Sequence, residues 1–364
     1  MSTLTQASEQ WFKRPADERF TSLFDMQRVM HERRDISRQD VQTTRKLMLR
    51  PAGDPAARDL TIDIGEGRMA GQSLAPTHMA FGQLCSLANT PSPASYFRES
   101  NLPSAYVSDC LNWNLRSRDI EDIGLLGLLG DDPELRAATG PNYGRVWDAD
   151  VVDALVKDFG DGVSGDWRVP GEFGKRVVVD KANTTLFASD RDMFVFLADE
   201  ERRIEVAGRN LARGFFTWNS EVGDKTLGLG FFLFDYVCCN RIVWGADQYT
   251  EVRVRHTKGA PDRWLEEVVP VLTEYSRGSE LPVIQAIEHA REQKMGDDLD
   301  KLLANRFGKS LVEPIKAIHL VEVGRPIETA WDVTVAATAH ARSIPNTDKR
   351  LDIEREAGAL LKAA

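Results

Sequence analysis

The sequence predicts an α+β protein: a mostly antiparallel sheet in residues 176–260, flanked by N-terminal and C-terminal helical segments. Three observations carry this. Short runs rich in β-branched and aromatic residues concentrate between Val177 and Arg255. Apolar residues recur at helical spacing on either side of that region. No internal repeat or low-complexity segment points to a solenoid or a disordered chain.

Residues 1–59 read as a basic N-terminal arm, irregular or helical. Between Arg28 and Arg50 stand seven basic residues (Arg28, Arg33, Arg34, Arg38, Arg45, Lys46, Arg50) against three acids (Glu32, Asp35, Asp40). A local positive excess suits phosphate contacts or a solvated helix face. Pro51-Ala-Gly-Asp-Pro55 marks a linker.

Residues 60–160 read as an α/β part. Thr61 to Ile64 alternates as a strand does. Phe81, Leu84, Cys85 and Leu87 share one helix face, and Pro91-Ser-Pro93 ends that run. Tyr106 to Leu115 reads as a second helix. Leu125–Leu129 and Leu135–Thr139 read as strands, with Asp131-Asp-Pro133 as the turn. Asp150 opens a helix whose acidic first turn suits the dipole.

Residues 161–175 are glycine-rich and read as a loop or insertion. Strands are expected at Val177–Val179, Met193–Leu197, Gly214–Trp218, Leu227–Val237 and Val252–Arg255. The last alternates strictly and turns Arg253 and Arg255 to one face. Residues 261–364 read as an acidic helical part: ten acids oppose four basic residues between Asp262 and Asp300.

At 364 residues the prior is about two domains, at ~150 residues each. Hydrophobic residues at 42% and charged residues at 28% place the chain among globular proteins. The net charge of −10 argues against a uniformly basic coat and leaves room for a local basic groove. Four cysteines exclude a disulfide scaffold. No apolar run approaches the ~18 residues of a membrane span, and the N-terminus has no signal-peptide pattern, so a cytoplasmic protein is expected.

Several chemistries lack their motifs. There is no phosphate-binding G-x-x-x-x-G-K-[ST], no H-E-x-x-H and no nucleophile elbow around Ser220. Cys85, Cys110, Cys238 and Cys239 lack zinc-site spacing. No metal, cofactor or catalytic residue is expected.

The pattern Trp218-Asn219-Ser220-Glu221-Val222-Gly223, followed by an apolar strand ending at Cys239-Asn240, resembles the phage- and plasmid-borne family of domain of unknown function 932. Phe81-Gly-Gln-Leu-Cys85, Pro93-Ala-Ser-Tyr-Phe97 and Leu111-Asn-Trp-Asn-Leu115 resemble its N-terminal helical region. Thr139-Gly-Pro-Asn-Tyr143-Gly-Arg145-Val-Trp-Asp148 resembles its central turn. Trp331 to Thr338, Leu351 and Glu354 to Gly358 resemble its C-terminal helices. The blocks span roughly residues 60–360. Arg241 departs from the glycine often found there, and the glycine-rich stretch departs as an insertion. The resemblance implies a mobile-element protein and no particular reaction.

The leading expectation is a non-catalytic nucleic-acid-handling protein, binding or annealing single-stranded DNA in recombination or replication. Candidate contacts are Arg209, Arg213, Trp218, Arg241, Arg253 and Arg255, where arginines interleave with an aromatic, together with Tyr143 and Arg145 as a stacking and phosphate-binding edge. Asn219, Ser220, Glu221 and Gly223 form a polar hairpin that either presents side chains to a ligand or serves as turn chemistry, and Asn240 completes the motif. The alternatives are a protein-binding factor acting on host machinery through the acidic C-terminal part, or an enzyme with an unrecognised site. Self-association is left open.

Overall fold

The computed structural model describes residues 14–89, 93–117, 122–170, 178–182, 184–236, 240–244, 251–296 and 298–361. Among them the fold is α+β, but it is built on two sheets rather than one.

The N-terminal part supplies β1 (Arg19–Phe20), α1 (Leu23–Asp35), β2 (Ser37–Thr43), β3 (Leu47–Pro51), β4 (Leu60–Ile64) and β5 (Ser73–Pro76). The expected basic arm is therefore not an arm over its described residues. Its charges are used locally: Arg28 pairs with Asp25 and Glu32, Arg34 with Asp150, Lys46 with Glu66, and Arg50 with Asp63. Helix α1 starts because the Ser22 side chain accepts from Asp25 N, and it buries Leu23, Met26 and Met30.

Next come α2 (His78–Leu87), α3 (Pro93–Glu99), α4 (Ser104–Ser117), β6 (Asp122–Leu128), β7 (Glu134–Thr139) and α5 (Asp148–Phe159). Strands β2 to β7 form a six-stranded sheet in the order β2-β6-β7-β5-β4-β3, parallel only between β5 and β7. Isolated strand signals were legible here, but their union into a sheet was not. Ile62, Ile64, Leu74 and Leu125 pack against Phe81 and Leu84 of α2 and Leu111 and Leu115 of α4.

The large sheet holds β8 (Trp167–Arg168), β9 (Leu186–Ala188), β10 (Met193–Val206), β11 (Arg209–Asn219), β12 (Leu227–Asp235), β13 (Asn240–Trp244) and β14 (Val252–Val254), with β1 on its edge. Strand β8 falls inside the expected glycine-rich loop, and Trp167 is core. Residues 171–175 of that loop lie outside the described residues. Val178 and Val179 form no strand. Strands β10 and β11 join through Ala207-Gly208, both at positive φ, the geometry of a tight hairpin turn. Phe196, Phe216 and Trp218 stack in a row, and Gly230 and Gly228 lie opposite Phe216 and Trp218. A Cβ on Gly228 would lie 2.0 Å from the Trp218 ring, so those rings need glycine partners.

Helices α6 (Ala260–Arg277), α7 (Leu281–Glu292), α8 (Leu299–Phe307), α9 (Val312–Val323), α10 (Ala330–Ala341) and α11 (Thr347–Gly358) complete the chain. One face of the large sheet packs against α1, α5 and α6. The row of Phe194, Phe196, Phe216 and Phe232 packs against Leu351 of α11. No described helix is long and apolar enough to cross a membrane.

Candidate functional site

The hairpin between β11 and β12 plugs into the six-stranded sheet. Val222 packs on Leu126 and Ala137 of that sheet. Beside it, Glu221 accepts from Arg136 Nη1 at 2.6 Å and from Asp148 N, the first residue of α5, at 2.9 Å. Asn219 donates to Val146 O and to Asp148 Oδ1 at 2.7 Å. Ser220 Oγ donates to Arg191 O, and Tyr143 OH donates to Ser220 O. Asn219, Ser220, Glu221, Arg136 and Asp148 are all buried.

The hairpin is therefore a joint between the sheets, and its polar side chains are buried in internal hydrogen bonds. Burial and the neighbouring Glu221 charge push the Asp148 carboxyl well above its ordinary range. Burial also acts on Glu221, but Arg136 and Arg33 outweigh it and hold that carboxylate low. Gly223 turns the chain at φ +86°, a conformation that side-chain-bearing residues adopt only with strain.

The expected arginine groove does not form. Arg213 is buried and donates to Tyr275 O in the last turn of α6, where the helix dipole favours a cation. Arg241 is buried on Glu354 and covers the Phe196 ring. Arg209 is tied to Asp235. Trp218 is buried beneath Arg253 and Arg355. Arg253 and Arg255 are exposed, as the alternation required, and Arg253 pairs with Glu251 at 2.7 Å. The side chains of Asn240, Cys238 and Cys239 lie outside the described residues.

A cleft of about 640 Å³ opens where the two sheets and the start of α11 meet. One face of α2 forms a wall along its length, from His78 and Met79 through Gly82 and Gln83 to Ser86 and Leu87. The β9–β10 turn, Ser189 to Asp192, forms another, and Asn346 to Asp348 a third. The walls are tied to one another by polar contacts. Gln83 donates to Val222 O and accepts from Ala138 N. Ser189 Oγ accepts from the backbone of Arg191 and Asp192. Lys225 ties Asp348 to Asp192 and Asp224.

The cleft is electrostatically mixed. Arg14, Arg98 and Arg191 face Glu18, Asp190, Asp192 and Asp348. Arg14 contacts Asp192 at 2.8 Å and Glu18 at 3.6 Å. Burial, aided by Asp190 and Asp192, pushes Glu18 up to about 7 against the pull of Arg14. Burial also raises Asp190. Asp192 feels the same burial, but Arg14 and Lys225 hold it low. Burial, with Arg98 and Arg191, pushes His78 down to about 4, so its imidazole is neutral. Two helix N-termini open onto the cleft, at His78 and at Thr347.

The chain matches no protein-family model, no curated protein and no solved structure. The site rests on geometry alone.

Sequence reasoning missed this cleft because its walls come from six separate segments. Ordinary helix and turn residues supply the groups, and no local motif marks them. Tyr143 and Arg145 line a second, adjoining cavity of about 340 Å³.

Proposed function

We propose that this protein binds single-stranded nucleic acid by admitting one nucleotide into the cleft between its sheets, as a handling protein of a phage or plasmid. The observation that carries this is the cleft's composition. Arg14 and Arg191 are held by Asp192 and Asp224, whereas Arg98 makes no ion pair among the described residues, and with two helix N-termini it suits a phosphate. Carboxylates beside them suit sugar hydroxyls and the imino and amino N–H groups of bases. Met79 and Leu87 supply apolar wall for a base. The volume falls in the ~300–1,000 Å³ range of small-molecule sites. The resemblance to the phage- and plasmid-borne family of domain of unknown function 932 supports the biological context.

Binding of labelled single-stranded, duplex and RNA oligonucleotides across a salt series tests the proposal. Ser86 is exposed on the cleft wall, so Ser86→Trp fills the cleft with little cost to the fold. A loss of about tenfold or more in single-strand affinity is expected, since one good base contact is worth ~1–3 kcal/mol. Unchanged affinity in folded Ser86→Trp overturns the cleft as the site, and no single-strand binding at low salt overturns the function.

A further inference from the structure

We propose that the groove holding Arg145 and Arg68 is a second subsite, which takes the backbone phosphate of the nucleotide adjacent to the one in the cleft. The inference rests on the reading of the cleft and extends it to a directed path for the strand.

The first observation is an unpartnered cation. The Arg145 side chain is 5% exposed, yet its Nε and Nη1 have no hydrogen-bond partner among the described residues. Its guanidinium lies over the rings of Tyr143 (5.3 Å) and Trp147 (6.0 Å), and no carboxylate pairs with it among those residues. Those two nitrogens are sealed from solvent, so the groove meets this guanidinium at Nη2, and a buried cation without a counter-ion is costly until an anion lies beside it.

The second observation is the space. Arg145 lines a groove of about 340 Å³ together with Tyr143, Arg68 and Asp40. Arg68 is exposed and makes no ion pair among the described residues. The Asp40 carboxylate already accepts from Val41 N, Gln42 Nε2 and Met69 N. Two arginines thus face a space whose carboxylate is engaged elsewhere. Planar guanidinium forks match phosphate oxygens.

The third observation is continuity. Thr139 and Gly140, at the end of β7, line both this groove and the cleft. Gly140 adds no side chain to that shared boundary, and a Cβ there would meet nothing within 4 Å, so the proposed path for the phosphodiester runs over it.

The groove suits a phosphate better than a second base. The Tyr143 ring is stacked on His256 at 4.9 Å and covered by Arg145, and its hydroxyl is held by Ser220 O. The ring orients the guanidinium rather than offering a free stacking face.

The test compares thymidine 5′-monophosphate with the 5′-phosphorylated thymidine dinucleotide by calorimetry. The dinucleotide is expected to bind about tenfold tighter. Arg68→Glu, at an exposed position, should abolish that gain, leave the mononucleotide Kd and the Tm unchanged, and lower the salt slope for a dT12 strand by ~1. Arg145→Lys keeps the charge but loses the fork, and should retain part of the gain. A dinucleotide no tighter than the mononucleotide, or an unaltered gain in Arg68→Glu, overturns the subsite while the cleft stands. Absence of mononucleotide binding overturns the cleft itself.

Discussion

Arg136 of β7 donates to Glu221 of the β11–β12 hairpin at 2.6 Å, with 2% and 3% of the two side chains exposed, and this ion pair couples the two sheets. Arg136 lies in a strand of one sheet and Glu221 in the hairpin that joins two strands of the other, 85 residues away. The same carboxylate accepts from the N-terminus of α5. One side chain thus fixes three elements that form three sides of a joint.

Glu221→Gln is expected to destabilise the protein by about 3 kcal/mol, because it leaves the Arg136 charge buried without its counter-ion. A solvent-facing turn would have tolerated the change. Replacing both partners by methionine should cost less than the sum of the single changes, since it removes both desolvation penalties. Urea denaturation of the four species measures the coupling, and additive effects would show that the pair is not the joint.

Stability should depend on pH through two groups of the cleft. The folded chain holds the Glu18 proton more tightly than the unfolded chain does, with a value of about 7 against an ordinary 4.5. Its contribution is present below pH 4.5 and is lost as pH rises through 7. Glu18→Gln should therefore melt a few degrees above the wild type at pH 8 and nearly equal to it at pH 5. His78 has the opposite sign. Its value falls from 6.5 to about 4, so its contribution is present above pH 6.5 and is lost as pH falls through 4. Burial also lowers His256, His319 and His340. His78→Gln should flatten the acid limb without abolishing it. Calorimetric scans from pH 4 to 8 decide both, and a pH-independent shift for Glu18→Gln would detach Glu18 from the effect.

Gly358→Ala should be among the most damaging small changes. Gly358 lies at the end of α11 against β13, and an added Cβ would sit 1.6 Å from Val243 O. Backbone cannot yield as a side chain can. A loss of about 3 kcal/mol is expected, the upper part of the usual overpacking cost. An unchanged urea midpoint would mean that α11 docks more loosely than this contact requires.

The arginines should separate into two classes. Arg241→Ala should cost about 2 kcal/mol of stability, below the ~3–5 kcal/mol of an abandoned buried charge, because Arg350 also binds Glu354 at 2.6 Å. The double change of Arg253 and Arg255 to Ala should stay within ~0.5 kcal/mol. Neither residue lines the cleft, so mononucleotide affinity should not move. A loss of mononucleotide binding in that double variant would place the strand on β14 instead.

The sequence by itself determined the fold class and many local elements, but not β1, β2 and β3, which lie in the stretch expected as an arm, nor β8. Aromatic and β-branched runs marked the cores of β10, β11 and β12, apolar spacing marked α2, and an acidic first turn marked α5, because these signals depend on residues a few positions apart. The hairpin after Trp218 was legible for the same reason. The partners of charged residues were decided only by the tertiary structure. Arg241 is neutralised by Glu354, 113 residues away, and Glu221 by Arg136. A charge looks solvated in sequence until a distant chain segment supplies its counter-ion and excludes water. The six-stranded sheet was hidden likewise, since β2 pairs with β6 across 79 to 91 residues. The cleft follows from those long-range pairings: docking the two sheets through Arg136 and Glu221 leaves α2, the β9–β10 turn and the start of α11 around one space.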